Sequence, residues 1–275
     1  MDTFFLFVTK YRTPMTIGWL AALLVWESGA PFFGFFRGRG KDRLVHDIRN
    51  LLVGAPGALL PALGFIGLLA AIGAWTEAHR FGLLNLHPLP AWAHALGAVL
   101  ILDVFTYFWH RANHRVPFLW RFHRVHHADA KMDATTASRF HIGEIAMSFV
   151  LRLPLIFLTG IQLGELAVFE TAMLLVVMFH HANIGVGARL DRWLRPFITT
   201  PAMHKVHHSR VRPETDSNFT AFLSVWDRLF RTFRLRDDPR TIDFGLDEFD
   251  AAEHRTLAGL YRIPLASAPR PSLNP

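Results

Sequence analysis

Long runs of apolar residues alternate along the chain with basic, histidine-rich segments. Helices that are apolar on every side, rather than on one face, are typical of lipid surroundings or of a very large core. Five runs stand out, at approximately 14–36, 51–75, 90–109, 145–159 and 163–179. A chain of 275 residues is too short to build a soluble core around several such helices. The pattern therefore predicts an all-α integral membrane protein.

The five runs differ in how well they suit a bilayer, because a span requires about 20 largely apolar residues. Runs 51–75 and 90–109 are the best candidates. Run 14–36 contains Glu27, which favours a tilted, kinked or partly interfacial helix. Run 145–159 is short and contains Arg152 and Pro154, so we expect it to form a hairpin with run 163–179 that does not fully cross. Together the runs predict a bundle of about four transmembrane helices.

Basic residues indicate on which side of the membrane the polar segments lie. The chain has 29 Lys and Arg against 22 Asp and Glu, and basic clusters follow the first, third and fifth runs. Because cytoplasmic segments of membrane proteins are enriched in Lys and Arg, we predict a cytoplasmic helical cap. We expect three regions: N-terminal transmembrane helices over 1–100, a histidine-rich domain over 101–235 and a C-terminal cytoplasmic tail over 236–275.

Composition excludes several classes of protein. Cys is absent, which rules out disulfides, thiolate zinc sites and Cys-ligated iron–sulfur clusters. Nucleic acid is not an expected partner, because the basic residues flank apolar runs and are not interleaved with aromatic residues. The unusual residue is His, with 16 copies. Any metal must therefore be held by imidazoles, carboxylates or carbonyl groups.

Ten of the histidines lie in clusters on the predicted cytoplasmic side. Residues three and four apart share one face of a helix, so each cluster directs two or three imidazoles towards one point. Thr200 and Pro201 resemble an N-cap and a first-turn proline, which places the last cluster in the opening turns of a helix. The clusters are His110 and His114; His123, His126 and His127; His180 and His181; and His204, His207 and His208.

These clusters contain more imidazoles than one ion can bind. Four imidazoles saturate a tetrahedral zinc ion, so eight or more indicate two ions. Iron, copper and zinc all accept all-imidazole ligation, and the spacing does not separate them. The isolated histidines are interpreted as surface, interfacial or structural residues; they are His46, His79, His87, His94 and His254.

The motifs and their order carry a resemblance to a known family. They read Asp103-x-x-x-Tyr-x-x-His-Arg-x-x-His114, Leu119-Trp-Arg-Phe-His-Arg-Val-His-His127, Arg139-Phe-His-Ile-Gly-Glu144, Phe179-His-His-Ala-Asn183, Thr200-Pro-Ala-Met-His-Lys-Val-His-His-Ser209, Asp216-Ser-Asn-Phe219 and Trp226-Asp-Arg-Leu-Phe-Arg-Thr232. This arrangement resembles the fatty acid hydroxylase/sterol desaturase superfamily of membrane di-iron enzymes. The matching text covers nearly half of the chain, and region 101–235 corresponds to the hydroxylase-like di-iron domain.

The resemblance implies a set of metal ligands. In the Phe-x-His-x-Asn segment the ligand position of the family falls on His181, which makes His180 its neighbour, and His141 is the tenth candidate. The implied ligands are His110, His114, His123, His126, His127, His141, His181, His204, His207 and His208.

Polar residues beside the ligand motifs are candidates for orienting the imidazoles, since a metal-bound His usually donates its second N–H to a carboxylate or carbonyl. Asp103 lies in an apolar run and requires a partner there, for which Arg111 is the nearest basic candidate. The candidates are Asp103, Tyr107, Glu144, Asn183, Asp216, Asn218 and Asp227.

The family resemblance implies an enzyme with two iron ions that uses O₂ to hydroxylate or desaturate a lipid, such as a fatty acyl chain, a sterol or a related isoprenoid. Electrons would come from a separate donor, either cytochrome b5 or a ferredoxin with its reductase. Two alternatives stay open at this point: a di-zinc membrane hydrolase or isomerase acting on a lipid through a metal-activated water, and a metal-binding or transport protein.

Overall fold

The computed structural model describes residues 2–60 and 64–267, which form α-helices, short 3₁₀ turns and two isolated β-bridges but no strand. The longer α-helices are α1 Asp2–Gly29, α2 Gly40–Leu59, α3 Phe65–Ala78, α4 Ala91–Arg115, α5 Pro117–His127, α6 Ile142–Thr159 and α7 Leu163–His181. The shorter ones are α8 Ala188–Leu194, α9 Pro201–His207, α10 Arg212–Thr215, α11 Val225–Leu229 and α12 Leu257–Arg262. The predicted all-α fold is confirmed.

Three helices of the described chain are long and apolar enough to cross a membrane: α4, α6 and α7. Only 22% of the apolar window of α4, and the same share of α6, is buried within the protein. The rest is exposed, and its large side chains include Leu96 and Leu100 on α4 and Val150 and Leu151 on α6. Because this apolar surface has no protein partner, a lipid environment accounts for it. The protein is a multi-pass membrane protein.

Two details of the predicted spans differ from the structure. Run 51–75 is not one described helix, because α2 ends at Leu59 and α3 begins at Phe65, with residues 61–63 outside the described part. Runs 145–159 and 163–179, expected to form a short hairpin, are instead helices α6 and α7, each of which meets the length and hydropathy of a span. Pro154 is accommodated within α6. A total of four spans stays a prediction.

A tight turn reverses the chain between α6 and α7. Gly160 ends α6 in the left-handed region at φ +78°, and a Cβ there would lie 2.4 Å from the side chain of Asn85. Gln162 and Glu165 then form a capping box, in which the Glu165 carboxylate accepts from the Gln162 amide at 2.9 Å. The turn makes α6 and α7 antiparallel neighbours, so the first turn of α6 and the last turn of α7 lie at one end.

The histidine motifs gather at that end of the bundle. Helix α4 runs towards it, since α4 packs against α7 and is followed at once by α5. Helix α9 packs on α7 and begins at Pro201, as the sequence predicts. Thr200, however, does not cap α9 with its side chain; its hydroxyl donates to the Asp191 carboxylate at 2.6 Å.

The remaining polar elements cover this end of the bundle. Arg124 on α5 donates to the carbonyl groups of Ile263 and Ala266, which ties the segment after α12 to α5. Val53 of α2 and Val125 of α5 share a buried apolar cluster with Leu260 of α12. The predicted boundary of a separate tail at residue 236 stays a prediction, and residues 268–275 lie outside the described part.

Candidate metal centre

Nine of the ten histidines predicted as ligands form two compact groups. In each group the candidate ligand nitrogens lie within 4.8 Å of one another. All nine residues are buried except His110, which is partly buried. The five-histidine group consists of His110, His114, His123, His127 and His207, and the four-histidine group consists of His126, His181, His204 and His208.

The two His-x-x-His-His motifs are shared between the groups. From the first motif, His123 and His127 join the five-histidine group while His126 joins the other. From the second, His204 and His208 join the four-histidine group while His207 joins the first. Residues at i and i+4 are nearly in line on a helix, whereas i+3 is offset to the other side. Each motif therefore supplies a ligand pair to one group and a single ligand to its neighbour.

The groups are adjacent, so that they form one site. The rings of His127 and His208, which belong to different groups, stack with centroids 4.4 Å apart. His126 and His208 within the second group are 4.6 Å apart, and His127 and His207 within the first are 4.7 Å apart. The arrangement offers positions for two ions in one buried pocket.

Hydrogen bonds fix which ring nitrogen faces the centre of the five-histidine group. The Nδ1 atom of His110 lies 2.7 Å from the Phe219 carbonyl oxygen, which only accepts, so this nitrogen carries the proton. Nδ1 of His123 donates in the same way to the Glu144 carboxylate at 2.9 Å. The Nε2 atoms of His110 and His123 therefore present lone pairs to each other, 3.1 Å apart.

The four-histidine group shows the same arrangement around His181. Its Nδ1 donates to the Val177 carbonyl oxygen at 2.7 Å, which leaves a lone pair on Nε2. That Nε2 lies 3.1 Å from Nε2 of His126 and 2.9 Å from Nε2 of His204. Three ring nitrogens thus converge on one point.

These residues fit first-row metal ions. Imidazole nitrogens bind such ions at about 2.1 Å, so two ligands at right angles are about 3 Å apart, which matches the separations of 2.9 to 3.1 Å. Facing lone pairs repel unless a cation lies between them. Among the described residues, Nε2 of His127 and His207 and both ring nitrogens of His208 are buried without a hydrogen-bond partner. Buried polar atoms rarely lack partners, and two cations would satisfy these.

Burial also sets the charge state of the ligands. It lowers the pKa of His126, His127, His204 and His208 well below the usual value, and neighbouring imidazoles lower each pKa further. Burial lowers the pKa of His207 to about 3. These five imidazoles are therefore neutral at physiological pH, as metal binding requires.

Acidification is expected to destabilise this end of the protein. Since the folded-state pKa values are depressed, an unfolded chain binds more protons below its own His pKa of about 6.5. Stability is therefore fully present above pH ~6.5 and is lost as the pH falls towards the folded values. Thermal unfolding of the detergent-solubilised protein at pH 8, 6.5 and 5 tests this. A midpoint that rises between pH 6.5 and 5 would contradict the assignment of buried neutral imidazoles.

The loop that precedes α11 positions two ligands through its backbone carbonyl groups. The Ser217 carbonyl accepts from Nδ1 of His207 at 2.7 Å, as the Phe219 carbonyl does from His110. Asp227 accepts from the backbone amide of Phe219 at 2.8 Å and so fixes the loop. Asn218, at φ +49°, donates to the Met203 carbonyl at 2.9 Å. Asn218 and Asp227 thus hold the loop that orients the ligands.

The other predicted orienting residues divide into two sets. Glu144 contacts His123 directly, and the Asp216 carboxylate lies 3.5 Å from Nδ1 of His114. Asp103, Tyr107 and Asn183 form no hydrogen bond with a ligand histidine among the described residues: they bind Trp226, Thr232 and the backbone of Phe33, respectively.

The expected pairing of Asp103 with Arg111 is wrong. The two residues are eight positions apart on one helix, which separates them by about 12 Å along its axis. Asp103 instead accepts from the indole N–H of Trp226 at 2.7 Å and from the backbone amide of Leu223 at 3.1 Å. These bonds attach the loop that carries α11 to α4.

Two further histidines, His141 and His180, lie near the motifs but belong to neither group. His141 is outside both groups; it accepts from the Gly143 amide at 3.0 Å and begins α6 as its N-cap. The structure does not bring it together with the other predicted ligands. His180 is buried beside the four-histidine group, with its ring centroid 3.9 Å from that of His204, and does not belong to it.

A buried charged cluster surrounds His46, a residue interpreted from the sequence only as isolated. Its Nε2 lies 2.9 Å from the Asp129 carboxylate, and its Nδ1 lies 3.0 Å from that of Asp133. Asp129 follows the first His-x-x-His-His motif by two residues, and Asp133 caps the 3₁₀ turn Ala134–Ser138. The signal available was this pair of closely spaced carboxylates, which require a cation when buried.

An apolar cavity of about 230 Å³ opens beside the histidines between α4, α6 and α7. Its histidine end includes members of both groups, among them His110, His123 and His181. Its wall consists mainly of apolar side chains, among them Trp109, Ile145, Met173, Leu174 and Val177. The cavity therefore places apolar side chains directly beside the candidate metal centre.

Comparison with known proteins gives a consistent result. The family model for fatty acid hydroxylase matches residues 95–232. The chain is 28% identical over 159 residues to an ornithine lipid hydroxylase of Rhizobium tropici, which covers 56% of this chain and 47% of that protein. It is 29% identical over 238 residues to an alkylglycerol monooxygenase of Danio rerio, covering 84% of this chain and 49% of that protein.

A third relative is a cholesterol 25-hydroxylase of Rattus norvegicus, 26% identical over 178 residues, with 60% of this chain and 55% of that protein covered. The chain thus spans about half the length of these curated relatives. No solved structure matches the chain.

Proposed function

The chain belongs to the fatty acid hydroxylase family, and from this premise we propose that it is a membrane-bound di-iron oxygenase that hydroxylates a lipid at a C–H bond. The observation that carries the proposal is the geometry of the site. Two adjacent groups of imidazoles share one pocket, and an apolar cavity between candidate membrane spans leads to that pocket.

Iron bound by these imidazoles would supply the activation of O₂ and the oxidising power that an unactivated C–H bond requires. The protein contributes the positions of the ligands. The carbonyl groups of Ser217 and Phe219 and the carboxylate of Glu144 hold three rings with Nε2 towards the centre. Such outer contacts orient metal-bound histidines.

The cavity contributes alignment and exclusion of water. Its apolar wall favours an alkyl chain over water, and its histidine end places one carbon of that chain next to the site. Hydroxylation is favoured over desaturation, because three relatives of this chain are named as hydroxylases or monooxygenases.

Two further parts of the proposal concern the surroundings. We infer that the metal end of the bundle faces the cytoplasm, since the Lys- and Arg-rich segments lie there. A separate donor, cytochrome b5 or a ferredoxin with its reductase, then supplies electrons at that surface.

The proposal is tested on protein purified in detergent, by metal analysis and by lipid analysis of the expressing cells. We expect about two iron ions per chain, O₂ consumption with an added electron donor, and an oxidised lipid that disappears in His126→Ala. The matched control is His87→Ala, since His87 is exposed and belongs to neither group. If the protein instead contains two zinc ions and hydrolyses or isomerises a lipid without O₂, the oxygenase assignment is wrong and the protein is a di-zinc hydrolase or isomerase.

A further inference from the structure

An ion pair joins α6 and α7 about halfway along the two helices, with the Arg152 side chain 13% and the Glu170 side chain 29% exposed. Arg152 NH1 donates to the Glu170 carboxylate at 2.6 Å. Arg152 lies ten residues after the start of α6 and Glu170 lies eleven residues before the end of α7, which places both about 15 Å from the histidine end. Because both helices are candidate spans, the pair lies near the middle of the hydrocarbon layer. Charged groups at that depth are rare and usually mark a ligand path or a proton path.

Arg152 lines the same cavity as the histidines of the candidate metal centre. On α6 the cavity is lined by one stripe of side chains: Glu144, Ile145, Ser148 and Arg152. Glu144 contacts His123 at one end of this stripe. Eight residues separate Glu144 from Arg152, a distance of about 12 Å along the helix. The cavity therefore extends from the metal ligands to a guanidinium group.

The guanidinium of Arg152 has more N–H donors than its bond to Glu170 uses. An Arg side chain carries five N–H donors, and one of its nitrogens, NH1, donates to Glu170. The Nε–H group is buried and has no hydrogen-bond partner within residues 2–60 and 64–267. A buried donor without an acceptor is unfavourable. The Arg152 side chain lines the cavity and is 13% exposed, so a rotation of its side chain would bring this donor to an oxygen atom of a ligand there.

The net charge of the Arg152–Glu170 pair determines which kind of ligand oxygen is favoured next to it. Arg152 and Glu170 together are neutral, so an anionic ligand group would add an unbalanced charge in a region of low dielectric constant. A pure hydrocarbon would leave the Nε–H donor without an acceptor. A neutral acceptor, the oxygen of a hydroxyl or ester carbonyl group, avoids both penalties. Ser148, one turn nearer the histidines, offers a second polar contact on the same cavity wall.

We propose that Arg152 anchors a neutral hydroxyl or carbonyl oxygen of the lipid substrate at the inner end of the cavity. A carbon about 12 Å from that oxygen then lies at the histidines. This inference rests on the proposed function and narrows it: the substrate class is a lipid that is oxidised several methylene groups away from its polar oxygen. A lipid oxidised next to its headgroup does not fit this placement.

The test compares three probes on the full-length protein in detergent: octadecanol, methyl octadecanoate and octadecane. We expect the two oxygen-containing probes to bind about tenfold more tightly than octadecane, the size of one hydrogen bond to a charged group. In Arg152→Met/Glu170→Met this preference disappears while octadecane binding persists. Apolar replacement of a buried ion pair is often tolerated, so the double variant should fold.

A second variant separates anchoring from a purely structural role. Glu170→Gln weakens the ion pair but keeps every N–H donor of Arg152, so the preference should persist. If the double Met variant keeps the wild-type preference, or Glu170→Gln loses it, the anchor is wrong; should the double variant fail to fold, Glu170→Gln decides. The matched control is His94→Gln/Glu165→Gln, which removes a 2.6 Å polar pair between α4 and α7 outside this cavity and should keep the preference.

Metal content and O₂ consumption in the same preparations distinguish this inference from the function on which it rests. Probe preference without iron or O₂ consumption would overturn the oxygenase and leave the anchor standing. Lipid oxidation without any preference for the oxygen-containing probes would overturn the anchor and leave the oxygenase.

Discussion

Replacing His204 by alanine is expected to leave about one metal ion per chain and to lower lipid oxidation by more than about 100-fold, since the loss of a contact beside a ligand already reduces affinity or activity by about 10- to 100-fold. His204 belongs to the four-histidine group, so its removal leaves three imidazoles for that ion. His127→Ala leaves four in the other group and should retain more metal. Metal analysis of both purified variants measures the difference.

The structure also supplies a control for this experiment. His141 lies outside both groups, although the family resemblance includes it among the ligands, and its ring accepts from the Gly143 amide instead. His141→Ala is therefore expected to keep both ions. Equal metal loss in His141→Ala and His204→Ala would show that the grouping is wrong. Size-exclusion chromatography confirms that each variant is folded before metal is counted.

Removing the imidazole of His46 is expected to lower the free energy of unfolding by about 3–5 kcal/mol, the usual effect of breaking a buried ion pair from one side. His46 lies between the carboxylates of Asp129 and Asp133, at 2.9 and 3.0 Å, and all three residues are buried. Alanine leaves both carboxylates without this cation. Thermal or denaturant unfolding of His46→Ala measures the loss, with the exposed His87→Ala as its control.

The effect of His46 has a defined dependence on pH. Burial alone would lower its pKa, but Asp129 and Asp133 raise the pKa well above the usual value. For a raised pKa the stabilisation is fully present below the unfolded value of about 6.5 and is lost as the pH rises through the folded value. The difference between wild type and His46→Ala should therefore be larger at pH 6 than at alkaline pH. A constant difference across this range would mean that His46 is not charged in the folded protein.

Much of the fold follows from local sequence. Runs that are apolar on every side of a helix predict membrane-spanning helices. Helices α4, α6 and α7 have the length and hydropathy of such spans. The interruption between α2 and α3 could not be predicted from hydropathy, because residues on both sides of it are equally apolar. The charged Arg152 made α6 look too polar to cross. Its partner Glu170 lies on the next helix, and only the fold of the chain back on itself after Gly160 brings the two together.

The site shows the same division between local and long-range information. Spacings of three and four residues predict that imidazoles share a helix face, and nine of the predicted ligands do converge. The division of each His-x-x-His-His motif between two groups depends on how α5 and α9 cross, which no local pattern contains. The backbone carbonyl groups of Val177, Ser217 and Phe219 orient ligands. Because every residue type has a backbone carbonyl, the sequence does not reveal this role.

The most direct test is an experimental structure of the protein purified from iron-supplied cells, with anomalous scattering recorded at the iron edge. We predict two peaks per chain, one surrounded by the five-histidine group and one by the four-histidine group, with His141 coordinating neither. A single peak, or a peak at His141 or outside these groups, would contradict the two-ion centre.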